Sequence, residues 1–191
     1  MTVGTAVLTD LQAVRDLEAL RDLCLREFSP APGEQAVFGE GPAHARLLLI
    51  GEAPGKQEAE SGRPFVGNAG RLLNKYLQEA SIRREEAYLT NVVKIRPPGN
   101  RTPRISEVKD ALPVLLRQIE LVGPRIIVCL GSVAVQAVLD PKAKITEIRG
   151  QWQEKDGIRV MPTYHPSAVF RDEDKRDLLK QDLREVGAAL R

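Results

Sequence analysis

Cysteine is scarce in this chain. Cys24 and Cys129 are the only two among 191 residues, and neither sits in a CxxC pair. Long apolar runs are missing as well: none approaches the 18 residues of a membrane span, so no span is expected. Residues Met1 to Asp10 lack the charged and apolar regions of a signal peptide. Together these absences point to a cytoplasmic protein. An excess of charge of one sign is absent too. The net charge is +2, so the chain as a whole is not a polybasic nucleic-acid binder, and any such role rests on local clustering. There is no internal repeat and no low-complexity segment.

What is present is ordinary for a globular protein: 42% hydrophobic and 28% charged residues, enough for a full core. The length suits one domain with an N-terminal helical extension over about residues 1–45. Helical periodicity runs through residues 8–28 (Leu8, Leu11, Val14, Leu17, Leu20, Cys24), and a Pro/Gly-rich connection covers 29–45. Strands are expected at 46–50, 88–93, 125–130 and 158–161. A polar, glycine-rich loop is expected over 51–67 and a helix over 69–80. Ser106 is a plausible N-cap for a helix reaching about Val122. Further helices are expected near 132–139 and 172–190. A β-type segment near 145–161 carries an Asp156-Gly157 turn. Strands alternating with helices predict a parallel, doubly wound α/β sheet.

Two segments about a hundred residues apart each follow an expected strand: Gly51-Glu52-Ala53-Pro54-Gly55 and Tyr164-His165-Pro166-Ser167. In open α/β sheets ligands bind beyond the carboxyl ends of the strands. The first segment is no phosphate loop, because only three residues separate its glycines and Gln57 follows Lys56. Alone, Glu52 reads as a surface acid and His165 as a turn residue fixed by Pro166. Together at strand ends they are a carboxylate that can stabilise a cation and an imidazole that can donate to a developing anion. Asn91 ends a strand, where asparagine is disfavoured, and offers a donor and an acceptor to the edge of an amide-like ring. The alternative is a capped strand end.

Phe65 lies among glycines, as a stacking surface or as a small hydrophobic plug. The loop from Lys94 to Arg104 includes Arg96 and Arg101, and it suits either phosphate contacts or plain solvation. Residues Ala168 to Arg171 set apolar groups beside a cation. They read as a wedge entering a base stack, or as the first turn of a helix.

The runs GEAPG (51–55), SGRPFVGNAGRLL (61–73), TNVVKIRPPGNRTP (90–103), LGSVAVQAVL (130–139) and YHPSAVFR (164–171) together resemble the uracil-DNA glycosylase superfamily, in particular its family 4 iron–sulfur enzymes. The motifs agree in order and spacing over about residues 46–190. The resemblance implies a three-layer α/β/α fold around a four-stranded parallel sheet. It also implies a monofunctional glycosylase that removes uracil from single- and double-stranded DNA. Nothing in the sequence demands a dimer, so a monomer is expected, without membrane association.

Residue by residue, the resemblance gives Glu52 the role of the acid acting on water or the sugar cation. Phe65 becomes the residue stacked on flipped uracil, and Asn91 the reader of the uracil edge. Glu58 stands where an acid crowds the C5 methyl of thymine, and His165 where a histidine contacts O2. Gly51, Ala53 and Gly55 would line the base site. Lys94, Arg96, Arg101, Ser167 and Arg171 would grip the DNA backbone.

The chain departs from that family at the cluster. Four cysteine ligands are implied, yet only Cys24 is placed to match one, and Ile95 and Ala111 stand where two others belong. One ligand cannot hold a [4Fe–4S] cluster, so no cofactor and no metal are expected. A related group that binds uracil-DNA covalently carries a basic insertion ending in histidine. No histidine lies between Asn91 and Val108 here. The alternatives to the enzyme are a non-catalytic uracil-DNA or single-stranded DNA binding protein and a nucleobase-binding module with no DNA role.

Overall fold

Runs such as Leu47-Leu48-Leu49-Ile50 and Ile126-Ile127-Val128-Cys129-Leu130 are apolar at every position, the signature of strands covered on both faces. In the computed structural model, which describes residues 11 and 13–191, they form β1 (Leu47–Gly51) and β3 (Ile126–Leu130). Around them lie β2 (Ala87–Asn91), β4 (Gln153–Lys155) and β5 (Ile158–Thr163). The strand order is β2-β1-β3-β5-β4. The first four are parallel, and β4 pairs antiparallel with β5.

Alternation along each strand makes two cores. Leu47, Leu49, Val128 and Met161 face α3 (Asn68–Glu79) and α7 (Asp174–Leu190), through Leu73, Leu77, Leu179 and Leu183. Leu48, Ile50, Ile127 and Val160 face α4 (Ile105–Val122) and α5 (Ser132–Val138), through Leu115, Ile119 and Val135. The result is the expected three-layer α/β/α architecture. Helix α1 (Leu17–Glu27) lies outside it, packing Leu20, Leu23 and Cys24 with Phe38 and Val114. The stretch after α1 returns along the outer edge of β2, where Glu40 and Leu89 exchange backbone hydrogen bonds. That shields an otherwise open strand edge.

Several expectations are corrected. The sheet has five strands, because the Asp156-Gly157 turn, with φ of 51° and 78°, closes a hairpin that adds antiparallel β4. The β-type segment begins only at Gln153; residues Ile145–Ile148 form a short helix, α6. The 51–67 loop contains α2 (Lys56–Ser61), stopped by Gly62 at φ 70°. The helical stretch expected over 8–28 is broken: Leu11 and Ala13 are helical, Val14 and Arg15 are not, and α1 starts afresh at Leu17, where Asp16 accepts the Ala19 N–H and caps it. Leu8 lies outside the described residues. Ser106 sits inside the first turn of α4, and the Arg104 N–H is satisfied instead by the Glu107 carboxylate at 2.6 Å.

Candidate active site

The carboxyl ends of β1, β2, β3 and β5 open on one crevice of about 860 Å³, whose wall includes Glu52, Glu58, Phe65, Asn91, His165 and Arg171. Strand register sets the first pair: Gly51 in β1 is opposite Asn91 in β2. The pairing runs on past the strands, with the Val92 N–H donating to Gly51 O and the Val93 N–H to Glu52 O. Asn91 is thereby held buried at the crevice floor with its amide against Gly51. Glu52, one residue beyond β1, is half-buried, and burial raises its carboxyl above the ordinary range while nearby Arg171 opposes the rise.

His165 leaves β5 two residues past its end. Gly131, with φ of 91°, turns the end of β3 so closely under it that a Cβ there would stand 3.1 Å from His165 Cβ. The Ser167 backbone N–H donates to Nδ1 at 3.1 Å, and the Ser167 hydroxyl oxygen lies 2.8 Å from the same atom. A nitrogen that accepts from a backbone N–H carries no proton, so the neutral ring holds its proton on Nε2. Burial pushes the imidazole pKa down to about 4, which keeps it neutral at ordinary pH. The Phe65 and His165 rings lie 6.2 Å apart, centroid to centroid, with 30° between their planes.

The structure brings Glu52, Ala53, Gly55, Glu58, Phe65, Asn91, Arg101, His165, Ser167 and Arg171 to this crevice. Glu58 also staples the loop above it, its Oε1 accepting the N–H groups of Val66 and Gly67. The expected backbone grip is corrected at Lys94. That side chain is 1% exposed, and its ammonium donates inward to Thr90 Oγ1, the Asn91 carbonyl and Gln118 Oε1, each at 2.7 Å. A phosphate cannot reach it. Arg96 turns to Glu34 and Asn100, at 2.6 and 2.7 Å, and is absent from the crevice wall. Arg101 reaches the wall but is held by both oxygens of Glu107 at 2.7 Å.

Sequence reasoning missed Lys175, which lines the crevice and stands 5.3 Å from the Tyr164 ring centroid. In a charged helix nothing distinguishes it beforehand. The stretch from Ala168 to Arg171, read as a wedge or as the first turn of a helix, lies in a 3-10 turn over Pro166–Phe170: Val169 packs into the core, and Phe170 is 59% exposed beside Arg171.

The donor set does not fit a four-thiolate cluster. The two cysteines lie in different cores, Cys24 with Leu20 and Phe38 and Cys129 among the sheet residues. Burial pushes the Cys24 thiol up to about 12 and raises Cys129 as well, so both stay protonated. Ile95 and Ala111 offer no ligand atom. Among the described residues, no group of three or more His, Cys, Asp or Glu is placed to hold a metal ion. Nor, among them, is any helix long and apolar enough to cross a membrane.

Comparison with known proteins gives the family of the chain. The family described as the uracil DNA glycosylase superfamily matches residues 38–187. The type-4 uracil-DNA glycosylase of Thermotoga maritima is 46% identical over 140 residues, 71% of this chain and 72% of that protein. The type-4 enzyme of Pyrobaculum aerophilum is 39% identical over 183 residues, 91% of each chain. The type-5 uracil-DNA glycosylase of the same organism is 33% identical over 146 residues, 68% of this chain and 64% of its own length. With the family pattern spanning the whole sheet and both halves of the crevice, this chain belongs to the uracil DNA glycosylase superfamily.

Proposed function

We propose that the protein is a monofunctional uracil-DNA glycosylase of the type-4 kind that works without an iron–sulfur cluster. The observation that supports this most is the convergence of Glu52, Asn91, Phe65 and His165 on one crevice at the carboxyl ends of the parallel strands.

The chemistry follows from what each group offers. The target base leaves the stack at a cost of a few kcal/mol, least in single strands and mismatches. In the crevice it stacks on Phe65. The Asn91 amide accepts from uracil N3–H and donates to O4; cytosine presents the opposite pattern and leaves that buried amide unpaired. The C1′–N1 bond breaks with its electron pair passing to the base, and negative charge gathers on O2. His165 Nε2–H donates to O2, a bond that strengthens as that charge develops and so acts on the transition state. The ionised Glu52 carboxylate stabilises the cation-like sugar and takes a proton from the water that adds to C1′. Free uracil and an abasic site result. Arg171, and Arg101 where Glu107 releases it, meet the DNA backbone. The protein acts as a monomer on uracil-containing DNA, single- or double-stranded.

The test is uracil release from a labelled single-stranded oligonucleotide, read as alkali-induced breaks, with wild type beside Glu52→Ala and His165→Ala. Breaks with wild type that are lost in the variants are expected. Tight retention of the oligonucleotide without breaks would instead mark a uracil-DNA binding protein.

A further inference from the structure

Phe65 is held in place by charged side chains acting on its own loop from two sides. Its φ is 54°, in the left-handed region that phenylalanine rarely adopts. The N–H groups after it, of Val66 and Gly67, are taken by Glu58 Oε1 at 2.9 and 2.7 Å. The carbonyls before and at it are taken by Arg84. Its Nη2 donates to Pro64 O at 2.7 Å and its Nη1 to Phe65 O at 3.2 Å. Asn74 Oδ1 accepts from the same Nη1 at 2.7 Å and aims the fork. Gly70 closes the arrangement from α3, where a Cβ would collide with the Phe65 carbonyl.

Arg84 is no part of the crevice wall. It lines a separate groove with Asn74 and Arg83. It therefore touches no bound base itself and reaches one through the loop that carries Phe65. A planar guanidinium suits the task, because its rigid fork serves two carbonyls and an amide together, where an ammonium is a point charge.

We propose that Arg84 is a positioning residue for base recognition: clamped on the Pro64 and Phe65 carbonyls, it holds Phe65 as a preformed stacking platform for the extruded uracil. A ring already in place spends less conformational entropy at capture than one that must be ordered. The proposal rests on the reading that this crevice takes uracil.

The test is a double-mutant cycle on kcat/KM for uracil release from a single-stranded oligonucleotide, using wild type, Arg84→Met, Phe65→Ala and the double variant. Phe65→Ala is expected to lose about five- to a hundredfold, the range for one base–aromatic stack. Arg84→Met is expected to lose a large part of that, and the double variant to stay within about twofold of Phe65→Ala alone. Losses that multiply would overturn the proposal, as would an unaffected Phe65→Ala.

Salt dependence separates a clamp from a phosphate contact. The slope of log Kd against log salt should be unchanged in Arg84→Met, whereas removing a phosphate contact on single strands flattens it by about 0.7. A flatter slope sinks the clamp.

Should wild type release no uracil, the functional reading fails by itself. The same cycle is then read on the affinity difference between uracil- and thymine-containing oligonucleotides, where independent effects of the two residues overturn the proposal. Should Arg84→Met not fold, Asn74→Ala frees the guanidinium without touching the loop. It is expected to show a smaller loss that vanishes in the Phe65→Ala background, and no loss would count against the clamp.

Discussion

Gly51 and Asn91 face each other across the β1–β2 pairing, and the place where a Cβ would stand at residue 51 is taken by the Asn91 amide oxygen. Phe65 Cζ presses on the same point at 2.6 Å. The glycine is there for close approach: any side chain would push apart the groups proposed to read and stack the base.

Gly51→Ala is therefore expected to lose activity on the order of a hundredfold, because displacements of about 1 Å have that effect on positioned groups. Overpacking should cost roughly 1–3 kcal/mol of stability. Uracil release alongside thermal unfolding checks it. A fully active variant would show that Asn91 and Phe65 need not hold their places.

The acid limb of the rate should belong to Glu52. Its carboxyl is raised above 4.5 by burial, and it works ionised, so kcat/KM should fall as pH drops through that raised value. His165, lowered to about 4, is still neutral there. Glu52→Gln should be slow and show no limb in this window. A limb centred near 6.5 and unchanged in Glu52→Gln would assign it to histidine instead.

His165 also carries a stability signature. Its folded pKa, about 4, lies below the ordinary 6.5, so between these values the unfolded chain binds the extra proton. Stability is fully present above 6.5 and is lost as pH falls toward 4. In His165→Asn this part of the loss should vanish, as read from denaturant midpoints at pH 7 and 4.5. Equal losses in both proteins would contradict the half-buried neutral imidazole.

Lys94 and Arg171 should separate cleanly. Lys94→Met leaves Thr90, Asn91 and Gln118 acceptors short of a donor in the core, at roughly 1–3 kcal/mol per unsatisfied group. Its DNA-binding salt slope should not change. Arg171→Ala should leave stability nearly intact and flatten the slope by about 0.7 on single strands. The reverse pattern would restore Lys94 to the DNA surface.

Purified protein should be colourless and free of iron, and Cys24→Ser should release uracil as wild type does. Stoichiometric iron, or visible absorbance lost with Cys24, would contradict cluster-free activity.

Much of the fold was legible because central parallel strands are apolar throughout: β1 and β3 announce themselves in Leu47–Ile50 and Ile126–Leu130. Strand β4 was not, since Gln-Glu-Lys has no strand signal and pairs only because the Asp156-Gly157 turn folds it back on β5. Helix α2 hid between glycines, because its six residues are too few to show a period. Lys94 looked like its basic loop neighbours, yet it turns inward. Only the packing of α4 against β2 brings Gln118 within 2.7 Å of its ammonium.

By itself the sequence determined the βα order, the apolar strands, the strand-end positions of Glu52, Asn91 and His165, and the shortage of thiols. Local propensity, covalent spacing and composition suffice for these. The tertiary structure decided which cations face solvent, which nitrogen of His165 holds the proton, and what fixes Phe65. Each of these depends on a partner far away in the chain or on a backbone turn: Gln118 for Lys94, the folded-back Ser167 N–H for His165, and Arg84 for Phe65. Burial and hydrogen-bond geometry exist only once the layers have closed around the sheet.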